Sequence, residues 1–146
     1  DAKRLQEQTS KPTIFAIQTN GTTLTHEKAM YYKRNGFFVG LSLDGPESIH
    51  DLMRKFPRGS GSYKNARAGL DHLIEMEIPF IVNATIHRHN FQNAREILSH
   101  FNDINIAHFA FKPIMRRGSA VSAWDKDGLS PAEYYEFLDE MVVQFP

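Results

Sequence analysis

Apolar positions along the chain follow two alternating rhythms. Short β-branched and aromatic runs at Thr13-Ile14-Phe15-Ala16-Ile17, Phe37 to Leu43, Phe80 to Ile86 and Ile106 to Phe111 predict four strands. Stretches of helical spacing separate them. One runs from about Leu24 to Arg34, with Thr25 placed as its cap and Asn35-Gly36 as its stop. A second is capped by Ser62 and carries an apolar stripe of Ala66, Leu70, Leu73 and Ile74. A third spans Ala94 to Phe101, with Ile97, Leu98 and Phe101 on one side. The last has the clearest start: Ser130-Pro131-Ala132-Glu133 sets a cap, a first-turn proline and a capping-box glutamate in order. Its body, Tyr134 to Val143, offers Phe137, Leu138 and Met141 for burial.

Strands that alternate with helices imply a parallel sheet, because each helix returns the chain for another parallel strand. The fold class expected is α/β, with residues 1–146 forming a single domain. Four strands do not close a (β/α)8 barrel, which takes about 250 residues. The pattern therefore describes a small open sheet or part of a larger barrel. In either case ligands meet the C-terminal strand ends. Those ends are Gln18 to Gly21, Ser42 to Gly45, Thr85 to His89 and Lys112 to Arg117, all polar or rich in turn residues. The opening residues Asp1 to Gln8 read as the last turns of a helix, and Phe145-Pro146 halts the chain directly after an amphipathic one. Both suggest a piece of a longer protein.

Composition narrows the picture. Seventeen basic and seventeen acidic side chains cancel, which removes a general electrostatic case for nucleic acid or a membrane surface. No apolar run approaches the roughly 20 residues that cross a bilayer. The chain has no cysteine, which excludes disulfides and thiolate ligation within it and agrees with a cytoplasmic location.

Several polar constellations stand at the strand ends. Ser42 and Asp44 are two apart on a strand and share a face, where a hydroxyl beside a carboxylate suits a ribose or another diol. Asp44-Gly45-Pro46 equally makes a plain turn, with the aspartate bonding its own backbone. Arg54 can hold a carboxylate bidentately or lie solvated. Asn83, Thr85 and His87 alternate with apolar residues, giving one strand a polar face that suits a barrel interior or a wet edge. His87 and His89 are spaced to share a metal, but no third ligand is specified and no dedicated metal site is expected. Gly59-Ser60-Gly61 lacks the Lys-Ser/Thr pair of a phosphate loop and reads as a hinge or linker.

Taken in order, Gln18-Thr19-Asn20-Gly21-Thr22, Val39-Gly40-Leu41-Ser42-Leu43-Asp44-Gly45-Pro46, Ile49-His50-Asp51 and Arg54 resemble the middle of a radical S-adenosylmethionine enzyme. The likeness is greatest to anaerobic sulfatase-maturating enzymes and related peptide-modifying members with a SPASM extension. It runs through nearly the whole chain and weakens after about Arg117. The resemblance implies part of a (β/α)6 partial TIM barrel. It also implies S-adenosylmethionine and a [4Fe–4S] cluster as cofactors, and a peptide or protein as substrate. Ser42 and Arg54 would hold the methionine and ribose parts of the cofactor, and Gln18 would lie at the barrel mouth. The backbone around Met115 would meet the adenine, and Asp44 matches a family position. Asn20, Asn83, Thr85, His87 and Lys112 would face the substrate.

His87-Arg88-His89 departs from the family's usual ending of that strand. The family's CxxxCxxC loop and GGEP-like motif do not occur in these residues, so the cluster ligands are expected outside them. A non-catalytic α/β binding module and a metal-dependent hydrolase half-barrel are the competing readings. An incomplete barrel also predicts exposed strand edges through which the chain dimerises.

Overall fold

Four parallel strands lie side by side in the order of the sequence: β1 (Phe15–Thr19), β2 (Phe37–Ser42), β3 (Phe80–Ile86) and β4 (Phe109–Pro113). This is a computed structural model, and it describes residues 13–144 together with Arg4 and Gln8, but not the side chains of Ser119 and Gln144. The helix end expected over residues 1–8 lies outside the described residues, apart from Arg4 and Gln8, which are helical.

Sequential order with every strand parallel means each connection advances in the same direction. Crossovers of one hand then place all helices on one face of the sheet. Burial agrees. Val39, Leu41, Leu43, Val82, Ala84 and Ile86 alternate along β2, β3 and their ends, and all are fully buried. They pack against α1 (His26–Arg34), α3 (Tyr63–Glu75) and α4 (Ala94–Asp103) through Ala29, Ala66, Leu70, Leu73, Ile97 and Phe101. The opposite face is mostly small or polar apart from Phe38, and Ala16, Gln18, Phe38 and Lys112 on it are exposed. Among the described residues, helices thus cover one face of the sheet and leave the other without them.

Most elements obey their local signals. The Thr25 side chain accepts from the Lys28 N–H at 3.4 Å to cap α1, and Gly36 adopts φ +65° just after its last turn. Ser130 and Glu133 close a reciprocal capping box at the start of α6 (Pro131–Gln144), with bonds of 2.7 and 3.2 Å. Phe137 and Met141 of α6 are buried, and Leu138 packs against the same core. An aromatic cluster of Phe101, Phe109, Phe111 and Phe137 fastens α4 and α6 to β4.

Four expectations need correcting. β4 starts at Phe109 rather than Ile106. Asn105 turns left-handed at φ +56° and the Ile106 N–H returns to the Phe101 carbonyl, so Ile106 plugs the end of α4 instead of entering the sheet. Ser62 does not cap α3 with its side chain. The Asp51 carboxylate does so from a distance, accepting the Ser62 and Tyr63 N–H groups at 2.8 and 2.9 Å. Ile74 stands at the edge of the α3 stripe and is 42% exposed. Finally, Gly59-Ser60-Gly61 is not a free linker: Lys55 and Gly61 form an antiparallel bridge that closes a small loop.

Between β2 and that loop sits α2 (Glu47–Met53), and after β4 comes a short helix α5 (Trp124–Asp127). Their positions shape the C-terminal rim of the sheet. Among the described residues, no helix is long and apolar enough to cross a membrane.

Candidate functional site

In parallel strands, residues paired across the ladder point to the same face. The register pairs Gln18 with Gly40, Ser42 with Asn83, and Thr85 with Lys112. The alternation that buries Leu41, Val82 and Ala84 against the helices therefore turns these polar residues to the helix-free face. Asn83 Nδ2 donates to Gln18 Oε1 at 3.2 Å, and Gln18 Nε2 donates to Ser42 Oγ at 3.2 Å. This chain of amides crosses three strands. It passes over Gly40, where a Cβ would collide with the Gln18 carboxamide. Ser42 accepts in that chain, so its own O–H stays available as a donor, with no partner among the described residues.

Above this row lies an ion pair. Asp44 is 1% exposed, and its carboxylate accepts Arg54 Nε at 2.6 Å and Arg54 Nη2 at 3.0 Å. It also accepts the Thr85 N–H at 2.8 Å. Arg54 Nη2 donates in addition to Thr85 Oγ1 at 3.1 Å. The aspartate thus does not fold back on its own turn. It ties the end of β2 to β3 and sets the arginine. Of the five guanidinium hydrogens, three are spent in these bonds, and the two on Nη1 have no partner among the described residues. The Arg54 side chain is 25% exposed, beside a cleft of about 270 Å³ between Asn20 and Thr22 on one side and Met53, Lys55 and Phe56 on the other.

The structure distributes the remaining sequence candidates unevenly. Asn20 Oδ1 accepts the Thr22 N–H and O–H, leaving its Nδ2 at the cleft. Lys112 is exposed on the same face as Thr85. Met115 follows β4 with its side chain 57% exposed, and its carbonyl accepts the Arg117 N–H at 2.7 Å.

His87 is closed in, 1% exposed. Its Nδ1 accepts the His89 N–H at 3.2 Å, while Nε2 is buried without a partner. Burial first, then the balance of Asp44, His89, Asp127 and Arg54 around it, pushes its pKa down to about 4. His89 Nε2 meets Asp127 Oδ1 at 3.0 Å. No group of three or more His, Cys, Asp or Glu side chains suited to a metal ion occurs among the described residues.

Two residues stand closer to this site than their local signals suggest. His50 Nδ1 accepts the Asp44 N–H, and His50 Nε2 meets Ser62 Oγ. In sequence His50 appears within the Ile49-His50-Asp51 stretch that carries the resemblance, with no role assigned to it, and Ser62 appears only as a cap.

No family model matches the chain. Curated relatives do. The chain is 32% identical over 101 residues to a serine-type anaerobic sulfatase-maturating enzyme of Bacteroides thetaiotaomicron, covering 69% of this chain and 24% of that protein. It is 26% identical over 128 residues to a cysteine-type anaerobic sulfatase-maturating enzyme of Clostridium novyi, covering 88% and 34%. An AdoMet-dependent heme synthase of Nitratidesulfovibrio vulgaris is 29% identical over 133 residues, covering 90% and 35%. The chain thus spans about a quarter to a third of the length of these relatives. Among solved structures, native anSMEcpe with bound AdoMet and Kp18Cys peptide superposes on 98% of this chain and 40% of its own, with a TM-score of 0.85 at 22% identity, a likeness of fold. By sequence the chain is a homologue of the anaerobic sulfatase-maturating enzymes, in the radical S-adenosylmethionine superfamily, and it shares the fold of one part of a solved member.

Proposed function

We propose that this chain supplies one wall of an S-adenosylmethionine site in an enzyme that modifies a peptide or protein side chain. The observation that carries this is the convergence of Ser42, Asp44, Arg54 and Thr85, with Gln18 and Asn83, on the helix-free face at the C-terminal strand ends. The donors left free there suit that cofactor. Arg54 Nη1 can hold a carboxylate or ribose oxygen, and Ser42 can donate to another. The bare backbone at Gly40 lets a ligand approach the sheet closely. Asp44 and Arg54 together carry no net charge, so the pair does not repel a sulfonium. The N–H of Met115 has no partner among the described residues and can meet an adenine edge, while its carbonyl is taken by Arg117.

A [4Fe–4S] cluster does not fit the residues present, because its thiolate ligands have no counterpart in a chain without cysteine. On this reading the ligands come from outside these 146 residues. In a protein that carries the cluster on other residues, the two cofactors would supply radical chemistry for hydrogen abstraction. The part of this chain is to orient the cofactor and line the substrate path with Asn20, Asn83, Thr85 and Lys112, whereas His87, 1% exposed, is closed in behind them. The relatives' names and the peptide in the solved neighbour support a peptide or protein substrate. The lack of cysteine supports a cytoplasmic location.

The test is S-adenosylmethionine binding by the complete, cluster-loaded gene product. Arg54→Met alone strands a buried carboxylate, which typically costs about 3–5 kcal/mol. The double variant Asp44→Asn with Arg54→Met removes both charges and keeps an acceptor for the Thr85 N–H. We expect it to fold and to bind the cofactor at least tenfold more weakly. Unchanged affinity in the folded double variant rules out Arg54 as a cofactor ligand.

A further inference from the structure

Asp44 and Arg54 are held by more than their mutual ion pair. The Asp44 N–H donates to His50 Nδ1 at 3.2 Å. Ser62 Oγ donates to the Arg54 carbonyl at 2.9 Å, and His50 Nε2 lies 3.1 Å from the same Oγ. A hydroxyl has one proton, and here it is spent on the Arg54 carbonyl. Ser62 can therefore only accept from His50, which puts the imidazole proton on Nε2. The other end demands the same tautomer, because Nδ1 must offer a lone pair to the Asp44 N–H. The ring is 1% exposed and packs edge-on against Tyr63, with ring centroids 5.8 Å apart.

We propose that His50, as the neutral Nε2–H tautomer acting through Ser62, is a positioning residue that fixes the backbones of Asp44 and Arg54 for cofactor binding. This rests on the cofactor reading above. The clamp grips each member of the ion pair at its main chain, independently of the side-chain bonds between them. Nearby charges belong to Asp44, Arg54 and Asp51, and burial outweighs them to lower the His50 pKa. Protonation would set an Nδ1–H against the Asp44 N–H, two donors face to face. The clamp thus works only with the ring neutral.

Two measurements on the complete, cluster-loaded protein decide the matter. Imidazole nitrogen correlations in a 15N-labelled sample read the tautomer directly, and the Nε2–H form is expected at neutral pH. Calorimetric titration with S-adenosylmethionine then compares wild type with Ser62→Ala and Ser62→Thr. The alanine variant is expected to lose about tenfold in cofactor affinity, as one positioning bond is released. Iron content and peptide affinity should stay unchanged. The threonine variant, which keeps the hydroxyl, should recover most of the loss. A merely structural role would lower cofactor and peptide affinity together, and that result overturns the proposal. So does an Nδ1–H or cationic ring at neutral pH, or an alanine variant that binds the cofactor like wild type. Should the alanine variant not fold, the tautomer and the threonine variant decide. A wild-type protein that shows the Nε2–H ring yet binds no cofactor removes the cofactor reading, and the positioning role with it, while leaving the clamp's geometry intact.

Discussion

At the scale of single residues, Asp44 is the hub. Its carboxylate collects two guanidinium bonds and one backbone N–H while nearly excluded from water. Asp44→Ala leaves Arg54 without its partner and the Thr85 N–H without its acceptor. We expect a loss of about 3–5 kcal/mol in unfolding free energy, measured by urea denaturation. A loss under 1 kcal/mol would show the bonds to be dispensable. Local sequence chemistry could not have assigned this role. Asp44-Gly45-Pro46 is ordinary turn composition, and the partner Thr85 lies 41 positions away on another strand. The same blindness hid the work of Ser62, whose neighbours in sequence advertise only a helix start. What was legible is the face: Ser42, Asn83 and Thr85 sit at strand-parity positions, and the polar side of each strand follows from that alone.

At the scale of elements, α3 packs directly against the turn that follows β1. A Cβ at Gly69 would collide with the carbonyl of Gly21, the turn glycine of the Gln18–Thr22 stretch, which itself has φ +74°. The obstacle is backbone, so it cannot swing aside. Gly69→Ala should push α3 off the β1 turn and destabilise the fold by about 1–3 kcal/mol, despite the better helix propensity of alanine. A thermal midpoint equal to or above wild type would contradict this contact. By contrast Ser130→Ala only opens the capping box of α6, and about 1 kcal/mol is the expected loss. Element existence was legible because periodicity and caps are local. Boundaries were less so. The start of β4 moved to Phe109 because Asn105 and Ile106 are used to finish α4, a choice set by tertiary packing of Ile106.

At the scale of the whole molecule, three half-buried or buried imidazoles, His50, His87 and His100, have pKa values below the usual 6.5, with desolvation as the leading cause in each. The unfolded chain takes up these protons first. Stability is therefore complete above about pH 6.5 and is lost as the pH falls towards about 4, the value for His87. Unfolding free energies measured across that range should decline with net proton uptake, and a flat profile would contradict the burial of these rings. The sheet also has two open edges, β1 and β4, among the described residues. We expect the 146-residue chain by itself to self-associate through them in sedimentation, and a strictly monomeric species at high concentration would count against it.

The helix-free, polar face of the sheet is the one that the proposed function gives to the cofactor. The most direct test is to reconstitute the complete gene product anaerobically with iron and sulfide, add reductant and S-adenosylmethionine, and measure 5′-deoxyadenosine. Formation of 5′-deoxyadenosine, abolished or strongly reduced in the Asp44→Asn, Arg54→Met double variant, is the result expected. A cluster-loaded wild-type protein that binds S-adenosylmethionine but forms no 5′-deoxyadenosine would contradict the catalytic reading and leave a binding module.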